Sequence, residues 1–255
     1  MAEPPRPVAP QGRQPSDAPP QGRQPSDAPP QGRQPSNAPP QGRAPPAEPP
    51  GRRPALAVAT EGYLDLALIR RLLRATGFAM GEVLWGEGRQ TGKGGLSLRL
   101  PRYAEAARRG AAVFVLRDLD DDAPCAPNLL RGLKVETGGA FCLRIAVREA
   151  EAWLMADREG LARYLRLPPG LLPEDPEALA DPKAALVAAA RRSRSRPIRE
   201  GFTARPGAGR PEGPDFVEHV ERFTRLHWRP ETAADRSDSL ARALIRLAEL
   251  RDRMR

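Results

Sequence analysis

Four carboxylates close the stretch Ala111 to Asp122, which reads AAVFVLRDLDDD, directly behind an apolar run. Asp118 and Asp120 are two residues apart, and alternate side chains of an extended backbone share a face. Oxygen ligands at that spacing, where a strand gives out, can chelate one hard cation such as Mg2+ or Mn2+. Further groups could join them. Glu61 precedes Gly62 at the end of another short apolar run, and Glu149 and Glu151 stand in REAEAW after a third. Lys93 lies in GEGRQTGKGG, a flexible loop ahead of a helix, where backbone amides and an ammonium can approach a phosphate. Farther on, Arg191, Arg192, Arg194, Arg196 and Arg199 fall in RRSRSRPIR, which suits contact with a phosphate backbone. The chemistry these residue types outline is metal-dependent phosphoryl transfer.

Each group also has a plainer reading. DxDDD can be a solvated acidic turn, Glu61 an acid favoured by a helix N-terminus, and Lys93 and the arginine run solvent-exposed charge. Trp153 reads as a core residue. The glycine-rich loop is not a Walker A motif, because Glu87 stands five residues before Gly92 and Gly94 follows Lys93 where a Ser or Thr would hold magnesium.

The elements that must position these residues can be read from the apolar pattern. Strands are expected at Leu56 to Thr60, Gly81 to Trp85, Val113 to Leu116 and Phe141 to Val147. Between them, Tyr63 onward carries an apolar stripe with Arg70, Arg71 and Arg74 opposite and Gly77 at its end. Helices are also expected at Leu96 to Arg109, broken or begun by Pro101, and at Pro127 to Lys134. The alternation predicts an α/β, Rossmann-like parallel sheet with helices on both faces. Glu61, Asp118 and Glu149 then fall on one rim, at the carboxyl ends of the strands, where open α/β sheets bind ligands. Glu149 and Trp153 are expected on one helical face. Beyond Asp157 the chain reads as helical, with segments at Arg158 to Leu165, Pro176 to Arg192, Asp215 to Leu226 and Ser237 to Met254. The expected organisation is a tail at 1–53, an α/β domain at 54–157, and a helical part at 158–255 packed on it.

The tail repeats QGRQPS at residues 11–16, 21–26 and 31–36, with QGRAPP at 41–46, and has almost no apolar content. Such composition cannot offset the entropy of ordering, so it is expected to be disordered. The net charge is +9, of which the segment from Pro54 carries +6, from 34 basic against 28 acidic side chains. That balance suits a polyanionic partner. Arginine outnumbers lysine 38 to 3. Cys125 and Cys142 form no disulfide framework or CxxC pair, and with two histidines there is no zinc motif. No apolar window suits a membrane span and no secretory pattern opens the sequence, so a cytoplasmic location is expected.

With Glu61-Gly62 after strand one, Asp118-x-Asp120 after strand three and Lys93 between, the arrangement resembles the Toprim fold of topoisomerases, primases and OLD-type nucleases, which use a Glu and a DxD pair. TEGYLDLALIRRLL, VLRDLDDD, REAEAWLMADRE and DPKAALVAAARRS together resemble DUF4276, an uncharacterised bacterial Toprim-like family, from about Pro54 to the C-terminus. The resemblance implies a Mg2+-dependent (or Mn2+-dependent) nuclease with Glu61, Asp118, Asp120 and Lys93 as catalytic residues. It implies metal ligands among Glu61, Asp118 and Asp120, with Glu149 or Glu151 for a second ion and Asp65 as an outer partner. DNA is the implied nucleic acid, and an ATPase the implied partner, as in OLD-type proteins. Two other readings stay open. A haloacid-dehalogenase-like phosphatase also places DxD after a strand but needs no Glu after strand one, and a non-catalytic protein could bind nucleic acid or a partner through the arginine segment.

Overall fold

The computed structural model describes residues 53–84, 92–205 and 207–254. The repeat tail up to residue 52, and Trp85 with the loop 86–91, lie outside the described residues. The described residues belong to one compact unit, Pro50–Arg255. In chain order they form β1 (Ala55–Ala59), α1 (Tyr63–Ala75), β2 (Ala79–Val83), α2 (Gly92–Arg108), β3 (Val113–Asp118), α3 (Ala126–Leu133) and β4 (Phe141–Ala146). The helical remainder comprises α4 (Ala150–Ala156), α5 (Arg158–Leu165), α6 (Pro182–Arg191), α7 (Arg196–Phe202), α8 (Phe216–Leu226), α9 (Pro230–Ala234) and α10 (Asp238–Arg253).

The sheet is all parallel, in the order β2-β1-β3-β4. The chain moves outward from β1 to β2, then returns past β1 to place β3 on its other side, so the strand order reverses between β1 and β3. Crevices open at such switch points, outside the carboxyl ends of the strands. Both faces are covered. Leu56, Val58, Phe114 and Leu116 pack with Leu68, Ile69, Leu72 and the helices that follow β4, whereas Val113, Val115, Leu143 and Ile145 pack with Leu96, Leu100 and Leu129 of α2 and α3. That double burial explains why β3 reads as a continuous apolar run rather than an alternating one.

The helical remainder shares the core of the first face. Trp153 and Trp228 are fully buried, the Trp228 indole donates to the Trp153 carbonyl at 3.0 Å, and the Trp153 indole donates to Ser239 Oγ at 2.6 Å. Asp157, also fully buried, accepts from the Gly160 amide at 3.1 Å, which caps α5, and from the Arg229 amide at 2.9 Å.

Three local expectations are corrected. Pro101 neither breaks nor starts a helix but lies inside α2 with its ring exposed, so the helix forgoes one backbone hydrogen bond and continues. The helix expected from Pro176 begins at Pro182 instead, because Asp181 caps it by accepting from the Ala184 amide at 2.7 Å; Pro176–Ala178 is only a 3-10 turn. The stretch between the helices expected at Pro176 to Arg192 and Asp215 to Leu226 holds a further helix, α7, anchored by buried Ile198 and Phe202. Among the described residues no helix is long and apolar enough to cross a membrane.

Candidate active site

Glu61 and Asp118 meet across the switch point. β1 ends at Ala59 and β3 at Asp118, with Ala59 paired to Val115, so the residues leaving the two strands converge on one rim. The Asp118 amide donates to Glu61 Oε1 at 3.2 Å. The Asp118 carboxylate in turn accepts from the Ala150 amide at 2.9 Å, at the start of α4. Asp65, in the first turn of α1, accepts from the Thr60 hydroxyl at 2.5 Å and the Gly62 amide at 3.1 Å. Those bonds fix the turn that carries Glu61.

The electrostatics follow from crowding acids in a half-dry crevice. Burial is the main reason that Glu61 is pushed up to about 7, with Asp120 and Asp65 adding to it and the Asp118 amide and Arg117 opposing. Asp118 is held well above the ordinary carboxylate range, first by burial and then by the negative charge of Asp65, Glu151, Glu61 and Asp120. Asp65 is raised too, chiefly by burial. Glu151 is 6 % exposed and pushed up to about 7 by burial, against the opposing pull of Lys183. Glu149 is raised as well, again chiefly by burial, so five carboxyl groups have raised proton affinity at one rim, the condition under which a site gains most from added positive charge.

The two-residue period does not carry through to Asp120. β3 stops at Asp118, and Asp120 has a left-handed backbone with φ +47, so the pair is presented by a turn rather than by one strand face. Asp120 accepts from Lys93 Nζ at 3.0 Å, and so does Asp122. Lys93, expected in a loop, lies in the first turn of α2, and its own proton is held more tightly by these two acids. Glu149 is the residue before α4 rather than part of it, so it does not share a helical face with Trp153; its carboxylate accepts from the Lys183 amide at 2.9 Å. Glu151 is on α4 and pairs with Lys183 Nζ at 3.5 Å.

Arg191, Arg192, Arg194 and Arg196 are exposed, but Arg196 pairs with Glu200 at 2.7 Å and Arg199 donates to the Ser193 carbonyl at 2.6 Å. Arg191 lines a cleft with Arg205 and Arg210. No described contact joins this segment to the carboxylate rim.

Two cationic residues stand at the rim that the motifs alone do not mark, Arg117 and Lys183. Arg117 is buried and donates to Asp122 at 2.6 Å, Ser97 Oγ at 3.0 Å and the Asp118 carbonyl at 3.0 Å. Lys183 is pushed up to about 12, mainly by Glu151. A signal for Lys183 was present, for lysine is rare here and two of the three, Lys93 and Lys183, stand against rim carboxylates. A compact ammonium can be replaced or displaced at a crowded acidic site more readily than a forked guanidinium.

As the side chains are placed, no three His, Cys, Asp or Glu groups among the described residues stand close enough together to hold a metal ion. The donor chemistry nonetheless suits a hard divalent cation. Glu61, Asp118 and Asp120 offer only oxygen, and their crowding leaves Asp118 in need of neutralisation. Such an ion would compete with Lys93 for Asp120. Comparison with family models, with curated proteins and with solved structures found no match.

Proposed function

We propose that this chain is a Toprim-like phosphodiesterase dependent on Mg2+ or Mn2+, acting as a nuclease on DNA in the cytoplasm with an ATPase as its expected partner. The observation that carries the reading is the meeting of Glu61 and Asp118 across the β1/β3 switch point. Asp118 and Asp120, with Glu61, would hold the cation, and Glu149 or Glu151 a second. A bound divalent ion would supply neutralisation of the charge that develops on the phosphoryl oxygens.

The chain's own residues supply the rest. Glu61 Oε1 is occupied by the Asp118 amide, which leaves Oε2 to take the proton of an attacking water. The water oxygen bonds to phosphorus, the bond from phosphorus to the leaving oxygen breaks, and that oxygen takes a proton from solvent. A carboxyl pushed up to about 7 is well matched to this work near neutral pH. Lys93 presents an ammonium at the same rim, where it can meet a non-bridging phosphate oxygen.

The phosphatase reading gives Glu61 no task, yet Glu61 stands directly against the Asp118 amide across the switch point. That favours the nuclease. Incubating supercoiled plasmid with the protein and Mg2+ or Mn2+ tests the proposal. Nicked or linear product that disappears with a chelator and in Asp118→Asn is expected. Intact plasmid together with no calorimetric uptake of Mn2+ would overturn it, and a phosphorylated Asp118 would replace it with the phosphatase.

A further inference from the structure

Between α1 and α8 runs a groove of about 540 Å3, and its walls are basic. Arg70, Arg71 and Arg74 line it from α1, and Arg222 and Arg225 from α8. Arg70 and Arg74, and Arg71 and Arg74, are four and three residues apart, as Arg222 and Arg225 are three apart, spacings that bring helical side chains to neighbouring positions. Arg71 is tethered to the Trp228 carbonyl at 3.0 Å, and Arg222 to Glu218 at 2.7 Å. Arg70, Arg74 and Arg225 make no ion pair among the described residues, and all three are exposed. Five arginines face two acids, Glu218 and Glu221, so the groove carries an excess of +3.

The groove has a direction. Tyr63 lines it, is 53 % exposed, and is the first residue of α1, two positions from Glu61. From Tyr63 to Arg74 the helix rises about 16 Å at ~1.5 Å per residue. One strand of a duplex advances ~3.4 Å per nucleotide, so the groove spans about five phosphates. Its positive wall on α1 lies at Arg70 to Arg74, about 10 Å along the helix from the Tyr63 end that adjoins the carboxylate rim.

We infer that the α1/α8 groove is the track for the phosphate backbone of a nucleic acid, with Arg70, Arg74 and Arg225 as phosphate contacts and the Tyr63 end leading into the Glu61 rim. This rests on the nuclease reading for the identity of the polyanion. Charge selects the occupant, because an excess of unpaired arginines on an exposed surface gains most by releasing the counterions of a nucleic acid. An acidic protein or an anionic vesicle would be outcomes that contradict it.

The full chain is titrated into fluorescein-labelled single-stranded and duplex DNA in a chelator, so that binding is read without turnover. R70Q/R74Q/R225Q should bind about tenfold or more weakly, and the slope of log affinity against log salt, between about 50 and 200 mM KCl, should shrink by about two to three. R70K/R74K/R225K keeps the charge and should stay within about threefold of the parent, because an ammonium still binds phosphate as a point charge. R102Q/R108Q/R109Q removes the same charge from exposed positions in and just after α2 and should leave the slope near that of the parent. Equal losses in the two neutralised variants would reduce the effect to net charge and overturn the track. So would absence of DNA binding by the parent, or a preference for phosphatidylserine vesicles over DNA. The two proposals separate cleanly: DNA bound through the groove but never cut leaves the track and removes the nuclease, whereas plasmid cut as fast by R70Q/R74Q/R225Q leaves the nuclease and removes the track.

Discussion

The Asp118 backbone amide points at the Glu61 carboxylate across 3.2 Å, which ties the ends of two neighbouring parallel strands through a single side chain. A ligand and a proton-transfer group fail differently when charge is removed at constant size. In Asp118→Asn, uptake of Mn2+ and plasmid cleavage should vanish together, because a carboxamide lacks the charge that offsets dehydration of a hard cation. Glu61→Gln leaves Asp118 and Asp120 ionised and keeps an oxygen for the Asp118 amide, so it should weaken Mn2+ uptake far less than Asp118→Asn does while cleavage falls by about 10²-fold or more. Calorimetry beside a cleavage assay reads both, and full activity in Asp118→Asn would show that the acidic stretch is only a turn.

Lys183 is the counter-charge that keeps Glu151 tolerable in the core. Removing one partner of a buried pair leaves a charge without compensation, at about 3–5 kcal/mol when both are buried. Lys183 is partly exposed and the separation is 3.5 Å, so the expected loss in Lys183→Met is smaller, about 1–3 kcal/mol by urea denaturation at pH 8. At pH 6 the loss should shrink, because Glu151 then carries its proton. The double variant Lys183→Met with Glu151→Gln should recover most of the stability. A loss in the double variant equal to that in the single one would mean that Lys183 acts by packing, not by charge.

The order and type of the sheet elements were legible because β1, β3 and β4 are buried on both faces and their sequences are correspondingly mostly apolar, with Arg117, Asp118 and Arg144 the exceptions. The rim positions of Glu61, Asp118 and Glu149 followed from that order alone. What was not legible came from contacts distant in sequence. Lys183 reaches Glu151 over a separation that no local pattern encodes, and Asp120 turns into the left-handed region where the strand period no longer applies. The α1/α8 groove was hidden for the same reason, since Arg70 and Arg74 read merely as the polar side of an amphipathic helix until α8 supplied the opposite wall. Where α6 begins was missed because a weak helical pattern from Pro176 outweighed the stronger local signal of Asp181 followed by Pro182.

The arginine segment can now be divided. Arg191, Arg192 and Arg194 are exposed, whereas Arg199 holds the Ser193 carbonyl across the turn into α7. R191Q/R192Q/R194Q should therefore fold as the parent does and weaken DNA binding evenly across sequences, with a flatter salt dependence. Arg199→Gln should instead lower stability by about 1 kcal/mol through the lost hydrogen bond. An unchanged salt slope in the triple variant would remove this segment from the interface and leave it as solvated charge.

Raised carboxyl groups make a prediction about pH with a definite sign. In the unfolded chain Glu61 and Glu151 ionise near 4.5, whereas in the folded chain both are pushed up to about 7. Between those values the folded protein holds protons that the unfolded chain has released, so stability falls as pH rises. Their contribution is fully present below about 4.5 and is lost on passing through 7. The raised Asp118 and Asp65 act in the same sense, while the lowered acids, such as Glu105 held down by Arg108 and Glu159 by a backbone amide and then Arg236, change only below their ordinary range and leave this window alone. His219 opposes, because burial lowers its proton affinity and so favours the folded state as pH rises through 6.5. With Glu149, also raised by burial, three glutamates and two aspartates outweigh one histidine. Without divalent ions, the Tm should be lower at pH 8 than at pH 6 by several degrees, with ~2–4 °C expected per kcal/mol for a domain of this size. Millimolar Mg2+ should restore most of the difference at pH 8 and do little at pH 6, where protons already neutralise the rim. Glu61→Gln should flatten the profile, since an amide does not titrate. A Tm that rises from pH 6 to pH 8 in a chelator would contradict the placement of these acids in a half-dry crevice.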